Sequence, residues 1–102
     1  MNDITKARYY LKGKQSNLQH LGSFGTMLAT AESRYKELKL KKKGNREIEG
    51  TYDAQEVDAM LDLAVLRHLR KYNRLPRDLP QVFRQGITLE ETRELSLRWI
   101  SA

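Results

Sequence analysis

The clearest candidate for a binding function in this sequence is a run of basic residues. Between residues 34 and 46, seven cations face a single acid, Glu37, and this local excess equals the net charge of +6 of the whole chain. The seven are Arg34, Lys36, Lys39, Lys41, Lys42, Lys43 and Arg46. Ammonium and guanidinium groups neutralise phosphates, so the run predicts non-specific contact with a nucleic-acid backbone. The alternative is a solvated helix end, where cations complement the helix dipole.

A second basic group lies in the other half of the chain. Arg67, Arg70, Lys71 and Arg74 share one arc of a predicted helix at 100° per residue. We include them among the predicted nucleic-acid-binding residues. The acids of the same helix all precede these bases, and this order also suits the helix dipole, so a well-terminated helix remains an alternative explanation.

Two tyrosines near the N-terminus have basic neighbours. Tyr9 and Tyr10 stand among Lys6, Arg8, Lys12 and Lys14. Rings in such surroundings can stack on nucleobases. The alternative is that they dock a terminal helix on the body of the protein.

Residues for catalysis or metal binding are not arranged in any familiar pattern. The two histidines, His20 and His68, have no Cys, Asp or Glu at zinc-site spacing. The segment Gly22-Ser23-Phe24-Gly25 is not followed by the Lys-Ser/Thr of a phosphate loop, and no nucleophile motif is present. We therefore predict a protein that is not an enzyme, with no cofactor, metal or small-molecule substrate.

The elements that position these residues are predicted from helix-start signals. An N-cap residue precedes Glu or Gln by three positions at four places, which are Ser16–Gln19, Asp53–Glu56, Asp78–Gln81 and Thr88–Glu91. Glycines and Pro76 supply the stops. Together they predict helices at about 4–12, 16–42, 53–74, 79–85 and 89–100.

These helices predict an all-α fold in one domain over residues 1–102, a helical hairpin or bundle with one long basic helix. Residues 1–15 would form an N-terminal arm, 16–43 the long helix and 53–102 the C-terminal helices. Gly22 and Gly25 weaken the long helix, and they predict either a close helix crossing or a break. A helix-turn-helix across residues 21–26 and a short β-hairpin over 38–52, turning at Gly44-Asn45, are the structural alternatives.

An apolar seam runs along the predicted long helix. Its members recur every three or four residues, which is close to a heptad pattern. They are Leu18, Leu21, Phe24, Leu28, Ala31, Tyr35 and Leu38. Because a small monomer has difficulty covering such a seam, it predicts a homo-oligomer or partner interface, in particular through Leu18, Leu21, Phe24, Leu28, Tyr35 and Leu38.

Composition indicates where such a protein works. It is 39% hydrophobic and 31% charged, without cysteine, and no apolar run approaches the roughly 20 residues of a membrane span. The first residues contain no apolar segment typical of a signal peptide. We predict a cytoplasmic protein without membrane contact.

Residues 29–100 resemble, in the order of their elements, the part of lambdoid phage small terminase subunits that does not read DNA. A basic helix (AESRYKELKLKKK) precedes a glycine and an acidic cap (GTYDAQEV). A helix with spaced bases (AVLRHLRKYNRL), a proline break (LPRDLPQVF) and an acidic-start helix (ITLEETRELSLRW) follow. The resemblance implies a non-catalytic DNA-packaging subunit that oligomerises, engages viral DNA and acts with a larger protein partner.

One departure and two other functions stand beside this resemblance. Lambdoid members read DNA with an N-terminal winged helix-turn-helix, and residues 1–28 show no convincing one. The competing class is a small phage or mobile-element accessory protein that inhibits a host defence or nucleic-acid-processing complex. A head-completion or connector component is the third possibility. In the phage case, the cytoplasm would be that of the host cell.

Overall fold

Four α-helices and two short 3₁₀ helices make up the part of the chain that the computed structural model describes, residues 2–42 and 52–101. In chain order these are α1 (Asp3–Gly13), a first 3₁₀ helix (Asn17–His20), α2 (Phe24–Lys42), α3 (Ala54–Tyr72), a second 3₁₀ helix (Leu79–Phe83) and α4 (Leu89–Ser101). No strand occurs in these ranges. The predicted all-α class is confirmed.

α3 is the central helix of the fold. It packs against α1, α2 and α4, and every residue from 59 to 66 is buried. A helix that is apolar around its whole circumference belongs in a core, because no face of it gains from contact with water. Asp62, 1% exposed, is the exception to this apolar composition.

The predicted long helix over residues 16–42 is divided. Ser16 caps a single 3₁₀ turn, and α2 begins only at Phe24, where the Ser23 hydroxyl accepts a hydrogen bond from the Thr26 backbone N–H at 3.1 Å. The Arg8 side chain of α1 donates to the carbonyls of Gln19, Leu21 and Gly22. These carbonyls are thereby satisfied without the next helical turn, which is why a break is stable here.

Two further predictions differ from the structure. Residues 1–15 do not extend as an arm, because Ala7 and Leu11 of α1 are completely buried in the core. The helix predicted at 79–85 is a 3₁₀ helix, in which Pro80 lacks an N–H and the Asp78 side chain makes no capping bond to the backbone.

The described residues can be compared with the two structural alternatives, the β-hairpin and the helix-turn-helix. Residues 38–42, the first arm of the alternative β-hairpin, are helical, and its turn at Gly44-Asn45 lies outside the described residues. The segment before residues 21–26 is one 3₁₀ turn, too short for the first helix of a helix-turn-helix. In the described ranges, no helix combines the length and the apolar character that crossing a membrane requires.

Candidate nucleic-acid-binding surface

α2 and α3 pack as an antiparallel hairpin, and ion pairs between them mark its register. Lys42, at the end of α2, contacts Glu56, at the start of α3. Further along the hairpin, Arg67 Nε lies 3.5 Å from Glu32 Oε1. These two contacts show which basic residues of the two helices are neighbours.

The register brings six of the predicted residues to one side of the hairpin, which we call the basic flank. On α2, Lys36 and Lys39 follow Glu32 at intervals that keep them on the same helix face. On α3, Arg70 and Lys71 follow Arg67 in the same way. The basic flank comprises Lys36, Lys39, Arg67, Arg70, Lys71 and Arg74, all exposed.

The basic flank extends in a line along the hairpin. Seven residues separate Lys39 from Glu32 on α2, and five separate Arg67 from the end of α3 at Tyr72. At 1.5 Å per residue the helical part of the line is about 18 Å long, and Arg74 lies just beyond it. Two carboxylates border it, Glu32 beside Arg67 and Asp3 near Arg70. The flank is therefore a predominantly positive strip. The ion pair between Arg67 and Glu32 lies along it, with further cations on both sides.

Aromatic rings hold several of these cations in place. The Lys39 ammonium lies 5.1 Å from the centroid of the Tyr35 ring. At the end of α3, Lys71 Nζ and Arg74 Cζ lie 5.2 and 5.8 Å from the centroid of the Tyr72 ring. Such cation–π contacts orient a charge without neutralising it, so the rings leave Lys39 and Arg74 able to attract an anion.

The C-terminal end of α3 is held by a helix-terminating residue and by side-chain hydrogen bonds. Asn73 adopts the left-handed conformation that terminates a helix, with a φ of 55°. Its carbonyl accepts a hydrogen bond from Lys6, and His68 Nδ1 lies 2.8 Å from the Arg74 carbonyl oxygen. His68 thus has a structural partner, and in the described ranges no group of three His, Cys, Asp or Glu side chains is arranged to hold a metal.

Other predicted binding residues lie elsewhere. Lys41 is exposed but stands about 140° or more around α2 from Lys36 and Lys39, by the 100° helical period. Lys42 is largely covered by its contact with Glu56. Lys43 and Arg46 lie outside the described residues.

Arg34 belongs to an ionic network on the opposite side of the hairpin. Its Nη1 lies 3.2 Å from Asp58 Oδ2 and 3.6 Å from Asp62 Oδ2. Lys14, which directly follows α1, reaches the same two carboxylates, with 2.6 Å between its Nζ and Asp58 Oδ1. The Tyr10 hydroxyl of α1 donates to Asp62 Oδ1 at 3.2 Å. The network joins α1, α2 and α3, so Arg34 has a structural role in place of the predicted phosphate contact.

The network perturbs two titrating groups. Burial raises the pKa of Asp62 above its ordinary value, although the charges of Lys14 and Arg34 act in the opposite direction. Burial, followed by the charge of Asp62, raises the pKa of Tyr10 well above its ordinary value. Lys14 was predicted only as a basic neighbour of the tyrosines, and Asp62 was not predicted as a functional residue. The one local signal was a lone acid within the apolar run from 59 to 66.

The predicted interface seam lies largely inside the chain. Leu18 and Leu28 are buried in the core, and Leu21, Phe24 and Tyr35 pack against it. Leu38 is partly buried. Because the chain itself covers most of this seam, the seam no longer provides an argument for self-association.

Comparisons of the chain with protein-family models, with curated proteins and with solved structures found no match.

Proposed function

We propose that this protein is a non-enzymatic, DNA-binding accessory protein of the phage DNA-packaging type, which acts with a larger protein partner. The observation that carries the DNA-binding part is the alignment of six exposed cations on the basic flank. The packaging role rests on the resemblance between the order of sequence elements in residues 29–100 and that of small terminase subunits.

The chemistry of the flank favours backbone contact without base reading. Lysine presents a point charge, which suits a phosphate but does not discriminate among base edges. Three arginines of the flank have the planar fork needed for guanine. Arg67 and Arg74 are engaged by Glu32 and Tyr72, and Arg70 lies near Asp3. We expect duplex DNA to bind with little sequence preference and with strong dependence on salt.

The test compares two triple variants of equal charge. Lys36→Gln, Lys39→Gln and Arg70→Gln remove three exposed cations from the flank. The control, Lys41→Gln, Arg77→Gln and Arg98→Gln, removes three exposed cations from outside it. If each flank cation neutralises one phosphate, the flank variant should flatten the slope of log K against log salt by about 2 to 3.

Fluorescence anisotropy with a labelled duplex at several salt concentrations measures this slope. The control variant should keep a slope close to that of the wild type. Equal flattening by both variants would show that only net charge matters, and no flattening by the flank variant would overturn the proposed surface. Circular dichroism checks that both variants keep their helix content.

A second candidate is the small accessory protein that inhibits a host defence or nucleic-acid-processing complex. The internal position of the apolar seam favours it, because such an inhibitor can act as a monomer. The connector alternative depended on the β-hairpin over 38–52, whose first arm is helical. Mass in solution separates the first two classes, since a packaging subunit is expected to be a defined oligomer.

A further inference from the structure

A groove on α1 combines an exposed aromatic ring with cations. It measures about 450 Å³ and is lined by Thr5, Arg8, Tyr9, Lys12, Gln19 and His20. The α1 residues recur at intervals of three and four, so they form its outward stripe, while the first 3₁₀ helix forms the other wall. The volume lies within the range of small-ligand sites.

The two adjacent tyrosines of α1 have opposite environments. Tyr10 is 3% exposed and contacts the buried Asp62 and the half-exposed Phe83. Tyr9 is 63% exposed. Docking of the helix therefore accounts for Tyr10 and leaves the Tyr9 ring, an apolar surface in contact with water, without a structural explanation.

The groove is positive and its wall is fixed. Arg8 donates to three backbone carbonyls, at 3.0 Å to Leu21 and 2.8 Å to Gly22 in addition to Gln19. Carbonyl dipoles orient its guanidinium without cancelling its full charge. No carboxylate lines the groove in the described part of the chain, so Arg8 and the exposed Lys12 give it a net positive field.

We propose that this groove binds a nucleotide unit of single-stranded nucleic acid, with the base stacked on Tyr9 and the phosphate beside Lys12 and Arg8. A stacked base needs an exposed ring, and its phosphate needs a cation within one nucleotide of it. Tyr9 and Lys12, three residues apart on one helix face, meet both needs. A duplex keeps its bases stacked inside, so this surface is distinct from the basic flank.

The experiment uses two probes of equal charge. One is a labelled oligothymidylate of twelve nucleotides, and the other is an abasic strand with the same number of phosphates. In the full chain, Tyr9→Leu removes the ring but keeps an apolar side chain, and Tyr9→Phe keeps the ring. Since Tyr9 is largely exposed, neither change should disturb the fold, and circular dichroism verifies this.

Stacking predicts a specific pattern of affinities. Wild type and Tyr9→Phe should bind oligothymidylate more tightly than the abasic strand, and Tyr9→Leu should lose between about 5-fold and about 150-fold for oligothymidylate alone. Lys12→Gln should weaken both probes and flatten the salt slope by about 0.7. Equal wild-type affinity for the two probes, or no loss in Tyr9→Leu, would overturn the proposal. Failure of duplex binding at the basic flank would leave this pattern unaffected, so the two proposals can fail separately.

Discussion

Asp62 shows how a single residue links the burial of α3 to the charges around it. Its carboxylate is almost inaccessible to water, and its Oδ2 atom has no hydrogen-bond partner within the described ranges, although Arg34 Nη1 lies 3.6 Å away. Removing a carboxylate from water costs free energy that paired cations recover only in part. The raised pKa of Asp62 is the consequence, because the protonated form avoids the cost of desolvation.

The free energy of unfolding should therefore depend on pH through Asp62. Between the ordinary pKa of 3.8 and the raised value, the folded protein retains a proton that the unfolded chain has released. Stability contributed by this group is thus greatest at low pH and declines as pH rises through that window. In Asp62→Asn, which cannot titrate, this decline should be absent.

Urea unfolding of both proteins, at pH values from about 3.5 to about 7, measures the effect. We expect the stability of the wild type relative to Asp62→Asn to decrease as pH rises through the window between the ordinary and the raised pKa, and to level off above it. The variant Glu94→Gln, at an exposed position on α4, controls for the loss of one negative charge. A difference between wild type and Asp62→Asn that stays constant with pH would contradict the assignment.

At the scale of the elements, the helix boundaries that local chemistry determines were predictable. Asp53 Oδ1 accepts from the Glu56 backbone N–H at 2.8 Å, and Thr88 and Glu91 form a reciprocal capping box, as their spacing predicted. The break before α2 was not determined in this way. It depends on the side chain of Arg8, which reaches carbonyls 11 to 14 residues along the chain, and helical periodicity contains no information about such a contact.

The Ser23 cap that begins α2 after this break can be tested with neighbouring substitutions. Ser23→Ala removes the hydroxyl that caps α2 and should lower the free energy of unfolding by about 1 kcal/mol. Gly22→Ala serves as the matched variant, because a Cβ at Gly22 meets no atom within 4 Å. It should change stability little or raise it by less than about 1 kcal/mol. Urea unfolding compares the two variants. A larger loss of unfolding free energy in Gly22→Ala would show that the glycine stabilises this segment more than the Ser23 cap does.

At the scale of the whole molecule, the arrangement of helices was less predictable than the helices themselves. At 100° per residue, Val57, Leu61 and His68 share one arc of α3, which by itself indicates a helix buried on one side. The structure instead buries α3 on all sides between residues 59 and 66. How many neighbours cover a helix depends on the other helices. In the same way, the basic flank exists only in the register in which α2 packs against α3, with Lys42 beside Glu56 and Arg67 beside Glu32.

The packing of the helices predicts that the chain itself, and not a second copy, covers the apolar seam. Leu28 is 4% exposed within one chain, so Leu28→Ala should cost about 2 to 5 kcal/mol through lost burial and a residual cavity. Leu40 lies on the same helix but is 64% exposed, and Leu40→Ala should cost less than about 0.5 kcal/mol. Urea unfolding at protein concentrations about a hundredfold apart measures both.

Coverage by the chain itself requires the loss in Leu28→Ala to be independent of concentration. A midpoint that rises with concentration in the wild type, together with a reduced mass of Leu28→Ala in sedimentation, would show instead that a second copy covers the seam.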